Sequence, residues 1–303
     1  MTLNNLAWKG WPFRLLTLSE KVHRRLLRKV ALDPALTAEA DLVVVPGALG
    51  DVLIASGFLA DLKVRRRRPL WFMTRRANFP LVQDHPALDG VVEFLDHALT
   101  WQDQFARLYQ PTVPLQRAPH WFMKGRTLYQ MYGDQLEAEW LPRRWVPQEG
   151  LDDLALPKQF ITLHTTSEAS KTYRRFGEVV APLPWPVVLI GGPTDQAVPE
   201  VALDLRGRLS LRRSWAVMHR AVGHLGIDSF PAHVATSMEK PQVLLYSGQH
   251  GRLCEPPGPV TALYPPAGLA LQPDREAQYA DQLQTISPQG VVEAVVARFG
   301  GAL

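Results

Sequence analysis

Short apolar runs alternate with helical stretches twice along this chain, and that alternation restricts its fold more than any other feature. In the first half, apolar runs lie at residues 42–45, 70–74 and 91–95, with helical patterns between them. The alternation restarts with apolar runs at residues 160–164 and 187–190. Continuous apolar runs are typical of strands buried in parallel sheets. The order strand, helix, strand therefore predicts an α/β protein with a parallel sheet in each half.

The prolines and the glycine between residues 142 and 157 divide the two halves. We therefore predict an N-terminal domain over residues 1–150 and a C-terminal domain over residues 151–303. A chain of 303 residues has the length expected for two domains. A final helix is predicted over residues 291–299, and it is a candidate to cross back onto the first domain.

Arginine is the main source of positive charge, and the formal net charge is +4. The arginine clusters lie at residues 65–68, 75–76, 143–144, 174–175 and 212–213. Guanidinium forks bind phosphate in a bidentate manner, so the composition indicates an anionic partner: a nucleotide sugar, a phosphorylated glycolipid or nucleic acid. A solvated basic surface is the alternative explanation for any single cluster.

Several features bear on the cellular compartment. Residues 13–31 form a basic amphipathic pattern that can lie on an anionic membrane or pack on its own domain. No apolar run is long enough to span a bilayer, and the first fourteen residues lack a secretory signal. The single cysteine, Cys254, excludes an intrachain disulfide and a cysteine-rich metal site. We expect a cytoplasmic protein, with the inner membrane face as the place for any peripheral contact.

The loop after the first apolar run reads GALGD and ends in Gly50 and Asp51. Ligands of open α/β sheets bind at the carboxyl ends of strands, where glycine lets the backbone approach closely. Asp51 is therefore a candidate general base. The alternative is that Asp51 only caps the helix that follows. The loop lacks the GxGxxG pattern, so NAD binding is unsupported.

Two loops of the second half carry groups suited to a nucleotide. Thr165 and Thr166 follow a strand, with Lys171 downstream, and this set can receive a diphosphate and stabilise charge on a leaving phosphate. Gly192 and Asp195 follow the next strand, where a carboxylate can hold a ribose hydroxyl. A polar loop with a surface lysine, and a plain turn, are the respective alternatives.

A third loop of the second half begins at Asp228, where a strand is predicted to end. A helix is predicted to start near Pro231, and the free amides of a helix start form an anion site that the hydroxyl of Ser229 can extend. Phe230 lies within this turn. His233 faces either the phosphate or the core.

Together these segments resemble one known family. GALGDVLIAS, HTTSEASK, LIGGPTDQ and the long segment over residues 207–235 are similar to the signatures of the ADP-heptose:lipopolysaccharide heptosyltransferases, glycosyltransferase family 9. They occur in the family order and span residues 42–246. The resemblance implies a GT-B fold, in which two Rossmann-like domains with parallel sheets face a cleft. It places the donor in the C-terminal half and the acceptor in the N-terminal half. Phe230 departs from the family, which has glycine there.

The resemblance also implies a mechanism. Asp51 would take the proton of an acceptor hydroxyl, while Lys171 and the 228–233 turn would stabilise the departing nucleoside diphosphate, with inversion at the anomeric carbon. The sequence has no Asp-x-Asp triplet, which fits transfer without a metal or other cofactor. The expected donor is an ADP-sugar, with heptose the first candidate. The expected acceptor is an anionic glycan or glycolipid such as the lipopolysaccharide core.

Three other functions compete with this reading. The arginine content also suits a glycosyltransferase acting on a modified base of nucleic acid, for which steep salt dependence is expected. The sequence lacks the aromatic–basic alternation of base-stacking surfaces. Phe230 motivates a degenerate, non-catalytic nucleotide-sugar-binding protein, although a pure binder needs neither Asp51 nor Lys171. A nucleotide-sugar epimerase would need an acid/base pair that we do not find.

Overall fold

The structure is a computed structural model with two compact units. It describes residues 37–94, 104–111, 126–143, 146–167, 171–247, 253–266 and 281–301. The first unit comprises Met1–Arg126 and Gln130–Trp140, and the second Thr127–Tyr129 and Leu141–Leu303. Residues 141–150, which the sequence analysis placed in the first domain, thus group with the second unit. The helix predicted over residues 13–31 lies outside the described residues.

The first unit contains a four-stranded parallel sheet. Its strands are β1 (Asp41–Val44), β2 (Leu70–Thr74), β3 (Gly90–Glu93) and β4 (Arg107–Tyr109), in the order β3-β2-β1-β4. The central strand β1 is buried along its whole length, as its apolar sequence predicts. The strand β4 was not predicted, because its short sequence Arg-Leu-Tyr carries no apolar run.

The helices of the first unit follow its strands. They are α1 (Leu49–Ser56), α2 (Leu59–Arg66), a 3₁₀ helix (Arg76–Leu81) and α3 (Leu128–Leu136), of which Leu128 and Tyr129 group with the second unit. The helical pattern between the first two apolar runs corresponds to two helices, because α1 ends at Ser56 and α2 begins at Leu59. The indole of Trp140 packs so closely on Gly57 that any side chain there would overlap the ring. This contact favours the break between the two helices.

The second unit contains a six-stranded parallel sheet. Its strands are β5 (Ile161–Leu163), β6 (Val187–Leu189), β7 (Leu203–Asp204), β8 (Gly223–Ile227), β9 (Gln242–Leu245) and β10 (Val260–Leu263). Their order is β10-β9-β8-β5-β6-β7. From β5 the chain builds outwards through β6 and β7, and it then returns to the other side of β5 with β8. The sheet therefore has its topological switch point between β5 and β8, which is where ligands of such sheets bind.

Four helices pack on the second sheet: α4 (Phe176–Val180), α5 (Leu211–Arg220), α6 (Phe230–Ser237) and α7 (Pro288–Phe299). The last helix packs its buried Val291, Val295 and Phe299 into the core of its own unit. Full burial of each such side chain stabilises a fold by about 1.5–3 kcal/mol. The strands predicted over this half are present within one or two residues, and the α/β fold class with parallel sheets is confirmed.

Within the part of the chain that the structure describes, no helix combines the length and the apolar character needed to cross a bilayer.

Candidate functional site

Asp51 lies in the first turn of α1, directly after the loop that follows β1. Its Oδ2 accepts a hydrogen bond from the backbone N–H of Ala48 at 3.0 Å, which is the capping contact that the sequence offered as the alternative to catalysis. Its Oδ1 accepts the hydroxyl of Tyr132 at 3.2 Å. Burial, together with the adjacent carboxylate, raises the pKa of Tyr132 well above its ordinary value, so the phenol remains a donor. Gly50 precedes Asp51 within α1.

Hydrogen bonds from the neighbouring strand hold the loop that carries Asp51. The Thr74 hydroxyl, at the end of β2, donates to the carbonyl oxygen of Val45 at 2.7 Å. The Asn78 side-chain amide reaches the Thr74 oxygen at 2.9 Å and the carbonyl oxygen of Gly47 at 3.2 Å. Thr74 is fully buried and Asn78 nearly so, so both contacts are shielded from water. The loop before Asp51 is therefore held in one conformation.

In the second unit, His164 joins two of the predicted binding loops across the switch point. Its Nδ1 lies 2.9 Å from the Ser229 hydroxyl oxygen, and its Nε2 lies 3.2 Å from Oδ2 of Asp195. A neutral imidazole donates from one nitrogen and accepts at the other. Because the Asp195 carboxylate only accepts, Nε2 donates to it and Nδ1 accepts the Ser229 hydroxyl. His164 was not among the predicted site residues, although it stands at the end of the predicted strand.

Asp195 lies between the His164 ring and the turn that follows β6. Its Oδ2 also accepts the backbone N–H of Gly192 at 2.8 Å. Burial by itself raises the pKa of Asp195, but the hydrogen bonds from His164 and Gly192 and the nearby Arg206 lower it overall. The carboxylate is thus charged at neutral pH and holds the His164 tautomer. Both of these hydrogen bonds fall on Oδ2, and the contact of Asp195 with a ribose hydroxyl stays a prediction.

The two threonines after β5 are tied to the same loop. The Thr165 hydroxyl donates to the carbonyl oxygen of Gln196 at 2.9 Å, and the backbone N–H of Gln196 donates to the Thr166 hydroxyl oxygen at 2.9 Å. Thr165 is fully buried, whereas Thr166 is partly exposed at the end of the strand. Thr166 is therefore the threonine available to a ligand, and Thr165 holds the loop.

Lys171 forms an ion pair with the nearly buried Asp228, with Nζ 2.7 Å from Oδ2. The side chain of Lys171 is 27% exposed, so the ammonium group reaches the surface beside the end of β8. The structure thus brings together two residues that the sequence placed in separate loops. Asp228 orients Lys171 towards the loop that precedes α6.

The start of α6 is built around Ser229, the N-cap residue. Its hydroxyl makes no capping hydrogen bond to the helix and lies instead 3.2 Å from the carbonyl oxygen of Ile227 and beside His164. The helix begins at Phe230, one residue before the predicted start. Among the described residues, the non-glycine positions with positive φ are Arg67, Glu137 and Glu239. Phe230 is not one of them, so it occupies the position of the family glycine without the backbone strain of a positive φ.

His233 turns into the core of its own unit. Its Nδ1 lies 2.9 Å from the hydroxyl of the buried Tyr129, and the two rings pack 5.9 Å apart. Of the two alternatives for His233, the structure shows a buried histidine with a hydrogen-bonding partner.

These contacts join most of the predicted donor residues of the second unit into one cluster at the carboxyl ends of β5, β6 and β8. Its members are His164, Thr165, Thr166, Lys171, Gly192, Asp195, Asp228 and Ser229. Asp51 and Gly50 belong to the first unit. Within the described ranges, no group of three or more His, Cys, Asp or Glu side chains is placed to hold a metal ion.

The sequence over this cluster matches a known family. Residues 145–281, a little under half of the chain, match the model of glycosyltransferase family 9 (heptosyltransferase). This part of the chain is similar to the glycosyltransferases of family 9. The predicted resemblance and the assignment as a glycosyltransferase are thereby confirmed. The matched residues cover the whole cluster from His164 to Ser229. No curated protein matches the chain by sequence alone.

Solved structures share the fold of the whole chain. A family 9 glycosyltransferase from Veillonella parvula is 18% identical with a TM-score of 0.67, covering 88% of this chain and 98% of its own. The Escherichia coli ADP-heptose lipopolysaccharide heptosyltransferase II is 16% identical with a TM-score of 0.65, covering 87% and 99%. At these identities the likeness shows the fold, and the predicted GT-B class is confirmed.

A third neighbour is the dodecameric, iron-containing heptosyltransferase TibC of enterotoxigenic E. coli, solved with ADP-D-β-D-heptose. It is 15% identical with a TM-score of 0.66, and the match covers 88% of this chain and 77% of TibC.

Proposed function

We propose that this family 9 protein is an inverting, metal-independent glycosyltransferase that moves a sugar from a nucleoside diphosphate to an acceptor hydroxyl. Heptose carried on ADP is the first candidate for the donor. The observation that carries the proposal is the cluster at the switch point of the second sheet, where Ser229, His164 and Asp195 are linked by hydrogen bonds of 2.9 and 3.2 Å. Open α/β sheets bind nucleotides at this position.

Within the cluster, the diphosphate takes the position beside Ser229 and Lys171. The Lys171 ammonium group and the dipole at the start of α6 supply positive potential where a leaving diphosphate gains charge. Thr166 adds a partly exposed hydroxyl on the opposite loop. In this proposal these groups do the work that a divalent cation does in metal-dependent transferases.

Asp51 is the proposed general base. A base that deprotonates an acceptor hydroxyl must be ionised and oriented towards its substrate. The Ala48 N–H and the Tyr132 hydroxyl each donate to one carboxylate oxygen, so together they fix the orientation of the carboxylate. Each carboxylate oxygen keeps a second lone pair for the substrate proton.

The identities of donor and acceptor rest on separate arguments. Two structural neighbours are described as acting on or binding ADP-heptose, and that favours an ADP-sugar for this chain. The positive net charge and the arginine clusters favour an anionic acceptor, such as a phosphorylated glycan of the lipopolysaccharide core.

A thermal-shift panel tests the donor half of the proposal without knowledge of the acceptor. The full chain is heated with ADP, UDP, GDP and their sugars, first with chelator and then with Mg²⁺ or Fe²⁺. Selective binding to the native state raises the midpoint. Stabilisation by ADP or an ADP-sugar in chelator supports the proposal. A response only to UDP or GDP compounds removes heptose, a response only with metal removes metal independence, and no response contradicts transfer from nucleotide sugars.

A further inference from the structure

A cavity lined by arginines opens at the amino-end edge of the first sheet. Its volume is about 270 Å³, and it is lined by Asp41, Arg65, Arg66, Arg68, Ala106 and Arg107. Asp41 is the first residue of β1 and pairs in register with Arg107, the first residue of β4. Asp51 follows the other end of β1, and the strand from Asp41 to Val44 is roughly 10 Å long at about 3.3 Å per step. The cavity is therefore separate from the proposed catalytic residue.

Three of the four arginines form ion pairs with glutamate side chains. Arg66 and Arg107 both pair with Glu137, and both guanidinium groups lie over the ring of Tyr109, at 5.7 and 5.0 Å. Arg65 pairs with Glu139 at 2.8 Å. These contacts hold the guanidinium groups in fixed positions around the cavity. Fixed forks lose little side-chain entropy when an anion binds.

Arg68 differs from the other three. Among the described residues its nearest carboxylate oxygen is Oδ1 of Asp41, at 4.0 Å, which is longer than a hydrogen bond. Its side chain is 53% exposed at the mouth of the cavity. Arg68 thus keeps donors that no carboxylate occupies, and an entering anion can reach them.

Asp41 supplies the second, independent observation. It is 1% exposed, and both of its carboxylate oxygens are buried without a hydrogen-bond partner among the described residues. Such a group costs about 1–3 kcal/mol or more unless a donor satisfies it. Burial raises the pKa of Asp41, against the lowering effect of Arg68, Arg66 and Arg107. An anion alone leaves these oxygens unsatisfied, so the occupant needs hydroxyl donors as well.

We propose that this cavity is a second binding site, for a sugar phosphate: a phosphate monoester held by the arginines, with neighbouring hydroxyl groups donating to Asp41. A phosphate monoester matches the guanidinium forks, and sugar hydroxyls match the two unsatisfied oxygens. The volume of about 270 Å³ lies just below the range of roughly 300–1,000 Å³ for small-molecule sites, which fits a ligand as small as a sugar phosphate. The site stands on contacts of the first unit alone, so it does not depend on the proposed transfer activity.

Calorimetric titration of the full chain tests the site, with glucose 6-phosphate, inorganic sulfate and glucose as probes at constant ionic strength. We expect glucose 6-phosphate to bind more tightly than sulfate and glucose not to bind. Arg68→Gln should weaken glucose 6-phosphate binding about tenfold, the effect of losing one charge-assisted hydrogen bond. Arg76→Gln is the matched control, because Arg76 is an exposed arginine of the same unit outside the cavity.

Equal affinity of the Arg68 and Arg76 variants for glucose 6-phosphate would overturn the proposal, and so would a preference for sulfate. ADP binding, measured in parallel, should be the same in both variants, which separates this site from the donor site. Asp41→Asn should reduce the preference for glucose 6-phosphate over sulfate. If Asp41→Asn does not fold, the comparison of Arg68→Gln with Arg76→Gln still tests the site.

Two sources could supply such a ligand, a free sugar phosphate or the phosphorylated sugar of a glycolipid. Sedimentation with phosphatidylcholine vesicles that contain phosphatidylinositol 4-phosphate presents the same groups on a lipid. If glucose 6-phosphate displaces the protein from the vesicles and Arg68→Gln weakens vesicle binding, the site is supported with a glycolipid as its ligand. Binding of glucose 6-phosphate in the calorimeter, without binding to vesicles, supports the site with a free sugar phosphate as its ligand. Vesicle binding that Arg68→Gln leaves unchanged counts against the site as the point of contact.

Discussion

The hydroxyl of Tyr132 donates to Oδ1 of Asp51 at 3.2 Å, across 81 residues of sequence. Tyr132 is 3% exposed, so the phenol is a fixed part of the first unit and not a mobile surface group. This contact and the Ala48 N–H give the carboxylate one donor on each oxygen. Asp51 is thus both the capping group of α1 and an oriented carboxylate, so its capping contact is compatible with the proposed role as a base.

Asp51→Asn separates these roles. Asparagine keeps an oxygen that can accept the Ala48 N–H, so we expect a folded protein with nucleotide affinity close to that of the wild type. The amide cannot take a proton, so turnover should fall about 10²–10⁴-fold. Turnover is measured by release of the nucleoside diphosphate, with Asp84→Asn, at an exposed position of the same unit, as the control. Full activity in Asp51→Asn would remove the assignment of this residue as the base.

Tyr132→Phe tests whether the phenol orients the carboxylate. The variant loses the hydroxyl that donates to Oδ1 of Asp51, so one of the two donors that hold the carboxylate is missing. Turnover should therefore fall about tenfold, the effect of one lost hydrogen bond, while ADP affinity stays close to that of the wild type. The lost hydrogen bond should also lower the free energy of unfolding by about 1–3 kcal/mol, measured by urea denaturation. Wild-type turnover in a destabilised variant would mean that Tyr132 acts only through packing.

Ser229→Ala tests the donor site against a matched serine. Ser210 and Ser229 are both N-cap residues, but Ser210 accepts a hydrogen bond from the Arg213 N–H at 3.1 Å, whereas Ser229 caps nothing. Ser210→Ala should cost about 1 kcal/mol of stability and leave ADP affinity unchanged. Ser229→Ala should weaken ADP binding about tenfold, because in this proposal the Ser229 hydroxyl turns its proton from His164 to the phosphate when ADP binds, and alanine has no such donor. Titration calorimetry of both variants gives the comparison. Equal ADP affinity of the two would show that Ser229 does not contact the diphosphate.

The parallel sheets could be predicted because buried central strands are continuously apolar. Residues 70–74 and 187–190 stand out as such runs, and the structure places strands at Leu70–Thr74 and Val187–Leu189. The strands β4, β7 and β10 were missed for the opposite reason. They lie at or near the sheet edges, are short or only partly buried, and mix polar with apolar residues. Their pairing depends on neighbours that lie far away in the sequence.

Only those residues of the candidate site that follow the ends of strands could be predicted from the sequence. The loops after β1, β5, β6 and β8 could be found because polar residues follow apolar runs. The link from His164 to Ser229 spans 65 residues, and nothing local indicates that these two side chains meet. Tyr132 is a still clearer case, since it lies in a helix whose sequence carries no functional signature.

Gly191→Ala should disrupt the loop that holds Asp195. Gly191 has φ of +139°, a conformation that side-chain-bearing residues rarely adopt, and an added Cβ would overlap the Asp195 carboxylate. We expect the free energy of unfolding to fall by about 1–3 kcal/mol or more. Gly192→Ala is the control, because its Cβ would meet Asp195 only at an ordinary distance of 3.5 Å. Similar urea midpoints for the two variants would contradict the loop geometry.

His224 should make the second unit sensitive to acid. The residue is 1% exposed on β8, its Nδ1 lies 3.0 Å from the Thr162 hydroxyl, and burial lowers its pKa to about 3. In the unfolded chain a histidine titrates near pH 6.5, so between these values the unfolded state binds one more proton than the folded state. The neutral His224 therefore makes its full contribution to the free energy of unfolding above about pH 6.5. Below that pH the contribution falls by up to about 1.4 kcal/mol per pH unit.

The contribution of His224 can be isolated by substitution. His224→Asn keeps a polar group near Thr162 but has no proton to gain, so its free energy of unfolding should fall less steeply than that of the wild type between pH 6.5 and pH 4.5. The difference in slope should approach about 1.4 kcal/mol per pH unit. Urea denaturation at several pH values measures it, and His219→Asn, at an exposed position of α5, should retain most of the wild-type slope. Parallel slopes for His224→Asn and the wild type would mean that His224 is already protonated in the folded protein, and that the Thr162 hydroxyl accepts its proton.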